Sequence, residues 1–179
     1  MGLLAILFMF LQSPTLPADR DVNEYTNQIC RKLSPGAGVT LLSDSDVRAE
    51  ASRPGRIYLS TGLFARTRNE AELAGAIAHA IAHAAAGTDC IRYVHSNVER
   101  MGEAEAMADK AAIKMLTKAG YNPSAMLDFF SKYRREGTGL NYSLRELLME
   151  KLEIEDTDHP LKDAVLDTPE FDRVHRLVQ

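Results

Sequence analysis

From Ala71 to Ala86 the chain reads Ala-Glu-Leu-Ala-Gly-Ala-Ile-Ala-His-Ala-Ile-Ala-His-Ala-Ala-Ala, a stretch built almost wholly from alanine, isoleucine and leucine. Alanine is the strongest helix former, so the segment is read as a helix. Asn69, with Glu72 three residues on, is a capping-box arrangement that starts it, and Gly87 stops it. A helix that is apolar on every side belongs inside a protein. With 179 residues there is room for one compact domain and a short appendage, and none for a second catalytic domain.

The flanking pattern supplies the partners. Val22, Tyr25, Ile29 and Leu33 recur at three- and four-residue steps, the period of an amphipathic helix over 19–33, which Ser34-Pro-Gly-Ala-Gly38 ends. Val39 to Leu42 reads as extended. Val47 to Ala51 and Arg56 to Ser60 read as two strands around the turn signal Arg53-Pro-Gly55. From Thr61 the pattern is helical: a short helix over 61–66, the central one, and one from about Val94 to Lys118 stopped by Gly120. A helix opened by Asn122-Pro123 follows, then helices over about 140–154 and 169–178. Met126, Phe129, Phe130 and Tyr133 form a core stripe. The expected fold is α+β and helix-dominated, one domain over 19–179 with a small β-sheet.

His79 and His83 are four residues apart, so on a helix they share a face and can reach one metal ion at about 2.0–2.1 Å. Glu105 and Asp109 on the next long helix are also four apart. One of these carboxylates can be a third ligand while the other accepts the free ring N–H of a ligating histidine. The competing reading is a helical binding module with two core histidines and solvated acids.

Lys and Arg total 21 against 25 Asp and Glu, for a net charge of -4, which leaves no positive field for nucleic acid. Residues 1–18 begin with an apolar run to Leu11 and continue Gln-Ser-Pro-Thr-Leu-Pro-Ala. The run is too short to span a bilayer and fits a signal-peptide core, although the basic start is missing and Leu16-Pro-Ala18 is a weak cleavage site. A helix packed on the domain or an interfacial membrane anchor are the alternatives. The expected location is exported, periplasmic or membrane-associated. The two cysteines, Cys30 and Cys90, are either buried thiols or, in an exported protein, one bridge.

Six ordered landmarks carry a resemblance: Arg56-Ile-Tyr-Leu-Ser-Thr-Gly-Leu63, Asn69-Glu-Ala-Glu-Leu-Ala74, the His79–His83 helix, Glu105-x-x-Ala-Asp109, Ala119-Gly-Tyr-Asn-Pro123 and Asp158-His-Pro160. Over about residues 20–178 the chain resembles the gluzincin zinc metallopeptidases of the HtpX, BepA and CAAX-prenyl-protease type, peptidase family M48. The resemblance implies one zinc ion held by His79, His83 and Glu105, with Asp109 as the supporting acid. His159 matches a histidine placed near the attacking water or the tetrahedral intermediate. A polypeptide substrate or protein partner is implied as well.

Three departures qualify this. The family motif is His-Glu-x-x-His, and its glutamate is the general base that takes a proton from the attacking water and passes it to the leaving amine. Here that position is Ala80. The strand that lines an extended substrate aligns with Val47-Arg-Ala-Glu-Ala51, where Arg48 and Glu50 alter charge and bulk. About eight residues, Leu161 to Thr168, are inserted before the last helix. The expected function is a zinc metalloendopeptidase-like protein, impaired or inactive as written. The alternative is a natural pseudopeptidase, zinc-stabilised for protein binding or regulation. Ala80 as a deliberate silencing of an active enzyme is the other explanation of the substitution, and the altered Arg48 and Glu50 favour the natural one.

Overall fold

The structure is a computed structural model, and it describes residues 17–53, 55–87, 98–134 and 163–179. The N-terminal apolar run, the helix expected over 140–154, and Cys90, His95 and His159 lie outside the described residues. Within them the fold is α+β and helix-dominated. The elements are α1 (Pro17–Leu33), β1 (Gly38–Leu42), β2 (Ala49–Arg53), β3 (Arg56–Ser60), α2 (Thr61–Arg66), α3 (Glu70–Ala86), α4 (Val98–Lys118), α5 (Ser124–Arg134) and α6 (Pro169–His175). Among the described residues no helix is long and apolar enough to cross a membrane.

The centre is α3. Ala71, Leu73, Ala74, Ile77, Ala78 and Ala80 have no exposed surface, and the helix is packed on by α1, α4, α5, β2 and β3. Its small side chains let neighbours come close. A Cβ built on Gly75 would lie 2.6 Å from the Cβ of Met126, so only glycine allows α5 to pass there. Asn69 caps the first turn by accepting from the Glu72 N–H at 2.9 Å. The reciprocal half of the expected capping box is displaced by one residue: the Glu72 carboxylate accepts from the Arg68 N–H at 2.7 Å rather than from Asn69, because it also pairs with the Arg68 guanidinium. Gly87 closes the helix at φ 66°.

The sheet has the order β1-β3-β2, with β1 parallel and β2 antiparallel to β3. Val39, Ala51, Ile57 and Leu59 alternate onto its buried face. The outer edge of β1 is covered by two amides of α1. Asn27 donates to the Val39 carbonyl and accepts from its N–H, and Asn23 accepts from the Leu41 N–H. Such cover blunts an edge that would otherwise pair with another chain.

Strand β2 runs over 49–53 rather than the expected 47–51. The Ser60 hydroxyl accepts from the Arg48 N–H and donates to the Asp46 carbonyl at 2.6 Å, holding the approach to the strand by side chain instead of ladder. A bulge between Ala51 and Arg53 then carries the pairing up to the turn. Helix α1 takes in Pro17 and Ala18, which the sequence grouped with the apolar segment. Helix α6 ends at His175 rather than Val178, since the Leu177 and Val178 N–H groups bond three residues back and tighten the last turn.

A second cluster joins the far end of α3 to the C-terminus. The Glu70 carboxylate is 6% exposed and accepts from the Tyr25 hydroxyl at 2.8 Å, the Tyr121 hydroxyl at 2.7 Å, and the Thr168 hydroxyl. Burial and this carboxylate push both phenols well above their usual range, although the Thr168 bond works against the shift at Tyr25. Lys32 lies 3.9 Å over the Tyr121 ring. The described part of the insertion adds backbone bonds, from the Ala71 N–H to the Leu166 carbonyl and between Gly120, Asn122 and Val165. Its residues 163–168 are thus a strap across the start of α3.

Candidate metal centre

His79 and His83 project from successive turns of α3, and Glu105 and Asp109 from successive turns of α4, so the packing of one helix pair brings all four side chains together. The two Nε2 atoms are 3.0 Å apart. The Glu105 carboxylate straddles them, with Oε1 3.2 Å from His83 Nε2 and Oε2 3.3 Å from His79 Nε2. Asp109 Oδ1 is 2.9 Å from His79 Nδ1. A carboxylate only accepts, so Nδ1 carries the proton and donates, which leaves the Nε2 lone pair of the neutral ring directed at the cluster.

These distances fit a metal. Ligand atoms at about 2.0–2.1 Å from a tetrahedral ion are roughly 3.3–3.4 Å from one another. The two Nε2 atoms, 3.0 Å apart, and the separate Glu105 oxygens 3.2 and 3.3 Å from them lie close to that spacing. Two imidazole nitrogens and a carboxylate oxygen are also the donor set that suits zinc while leaving a fourth position for a reactant. Two nitrogen lone pairs and a carboxylate converging on one point repel unless a proton or a cation lies between them, so the arrangement is one that a cation stabilises.

His79 and Glu105 favour each other's charged forms, so a cation binding here displaces a ring proton. Burial alone would push the His79 imidazole down, but its hydrogen bonds to Asp109 and Glu105 outweigh this and hold it above its ordinary value. Burial alone would push the Glu105 carboxyl up, and the bonds from His79 and His83 hold it well below the usual carboxylate range. Asp109 is 1% exposed and Glu105 21%, so the supporting acid is shut in while the candidate ligand remains reachable.

Ala80, one residue along α3, is fully buried among apolar core residues. Among side chains outside the cluster, Arg48 is paired at the sheet edge with Glu50 at 2.8 Å and Asp44 at 3.3 Å. His175 packs on Phe171 and bonds the Ala65 carbonyl, far from α4 in its contacts. Cys30 is a buried thiol pushed up to about 11 by that burial. Two contacts had no sequence signal. Phe130 lies against the His79 ring, whereas its spacing marked it as core stripe. Glu70 gathers three hydroxyls, whereas its position suggests an ordinary first-turn acid.

Asp109→Asn keeps the shape of the acid and removes its charge. It is expected to weaken zinc binding by about 10–100-fold, measured by competition with a chromophoric chelator. An unchanged affinity would mean that His79 does not depend on Asp109 for its orientation.

Residues 19–100 match the model of Peptidase family M48. The match takes in both histidines and ends before Glu105. It supports a metallopeptidase-like function, and members of that family depend on a metal, typically zinc. No curated protein matches the chain.

Proposed function

We propose that the chain is a zinc-binding, metallopeptidase-like protein whose hydrolysis of peptide bonds is impaired because position 80 offers no general base. His79, His83 and Glu105 would hold the ion and Asp109 would orient His79. When bound, zinc supplies Lewis-acid polarisation of a carbonyl and activation of water. The observation that carries the impairment is Ala80 itself: a buried methyl group can neither accept a proton nor return one to a leaving amine. Among the described residues the nearby acids are engaged elsewhere. Glu72 is tied to Arg68, Glu70 to the hydroxyl cluster, and Glu105 and Asp109 to the two histidines.

A second reading has support from the same residue. Because Ala80 is packed into the apolar core, the scaffold makes no provision for a charge there, as suits a zinc-stabilised module that binds a polypeptide without cutting it. In either case the candidate docking element is β2, which ends the sheet. An extended segment can add to such an edge through its backbone.

The test of the metal reading is stoichiometry. Protein prepared without chelator should contain about one zinc per chain by the three-ligand rule. The paired substitutions His79→Ala and His83→Ala should abolish it. Stoichiometric zinc in that double variant would place the metal elsewhere.

A further inference from the structure

Phe130 stands on α5, half-buried, with its ring centroid 4.9 Å from that of His79 and the two planes 58° apart. On its other side it meets Phe129 edge-on at 5.8 Å, and Phe129 is 1% exposed in the core. The Phe130 ring therefore links the packed interior to one imidazole. Asp109 fixes His79 through a single hydrogen bond at Nδ1, and one such bond constrains the position of that atom more than the tilt of the ring. A second ring packed on the imidazole at a steep angle restrains the tilt. His83 is only 2% exposed and held within the helix packing, while His79 keeps 12% of its side-chain surface open, so His79 is the ring that needs a wall.

We propose that Phe130 is a positioning residue for the metal centre. It holds the plane of His79 so that Nε2 stays aimed where His83 Nε2 and the Glu105 carboxylate converge, and it keeps water off that side of the ring. The apolar shell around a metal site controls solvent access and ligand orientation in this way. The inference rests on the zinc reading given above.

The experiment compares Phe130→Leu, which keeps apolar bulk and removes the ring, with Phe130→Tyr, which keeps the ring. Phe171→Leu loses a buried ring on α6, away from the cluster, and reports general loosening. Zinc affinity is read by chelator competition, and the visible absorption of cobalt(II)-loaded protein reports ligand geometry. Phe130→Leu should weaken zinc binding by about ten-fold and change the cobalt band shape, in line with the effect of other supporting residues. Phe130→Tyr should restore both, and Phe171→Leu should alter neither. Wild-type affinity and spectrum in Phe130→Leu, or equal losses in Phe171→Leu, would overturn the positioning role while leaving the metal centre standing. Zinc retained in the His79→Ala, His83→Ala protein would instead overturn the centre on which the role depends.

Discussion

Replacing Ala80 by glutamate should raise peptidase turnover by about 10²–10⁴-fold, the range supplied by a positioned general base. Position 80 follows His79 on α3, within one turn of both candidate ligands, so a longer side chain there ends beside the cluster. Two effects oppose each other. The new carboxylate restores a proton acceptor, but it enters a site with no exposed surface, where overpacking typically costs about 1–3 kcal/mol before any cost of burying charge. Stability should therefore fall while activity per zinc-loaded chain rises. The assay is cleavage of an unstructured protein such as casein by both forms, at matched zinc content and with a chelator control. Equal, zinc-dependent cleavage by the unaltered chain would show that another residue acts as base. Failure of both forms at full zinc occupancy would favour the non-hydrolytic binding module.

Glu70→Ala should destabilise the fold by roughly 3 kcal/mol, because it strands the buried hydroxyls of Tyr25 and Tyr121, each unpaired donor costing about 1–3 kcal/mol, and frees the half-buried Thr168 hydroxyl at a smaller cost. For a chain of this size that is a fall of about 6–12 °C in Tm. Glu70→Gln keeps the volume and one acceptor oxygen, so its loss should be smaller. Adding Tyr25→Phe to Glu70→Ala should recover part of the loss, since one stranded donor is gone; this non-additivity is what a direct contact requires. A Tm for Glu70→Ala within a degree of the parent would show that the hydroxyls find other acceptors. Zinc content should be unchanged, as the cluster lies at the opposite end of α3 from His83.

The parts of this molecule legible in its sequence are those set by local chemistry. The buried helix from Glu70 to Ala86 is announced by its alanines, its Asn69 cap and Gly87, and the pairing of β2 with β3 by the intervening turn. The parallel pairing of β1 with β3 has no such mark, since parallel neighbours need no shared turn and leave no local motif. The limits of β2 depend on the Ser60 hydroxyl and on a bulge, both properties of the partner strand's surroundings. In the candidate site, i,i+4 spacing exposes each ligand pair because the helix itself imposes it. The half-buried wall at Phe130 and the hydroxyls around Glu70 come from elements far along the chain. Their residue types are those of any core stripe or helix start, so only the packing distinguishes them.

The hydrogen bond between His79 and Asp109 spans 30 residues, and that between Glu70 and Thr168 spans 98. By the logarithmic growth of loop-closure entropy, the longer closure costs about 1 kcal/mol more before any contact repays it. The four donor side chains come from two helices adjacent in the chain, whereas the strap joins the start of α3 to residues beyond α5. On a ribosome, which releases the N-terminal part first, all four cluster residues emerge before the strap exists. Gathering the four donor side chains and closing the strap are therefore separable in chain order, and only the second waits for α6.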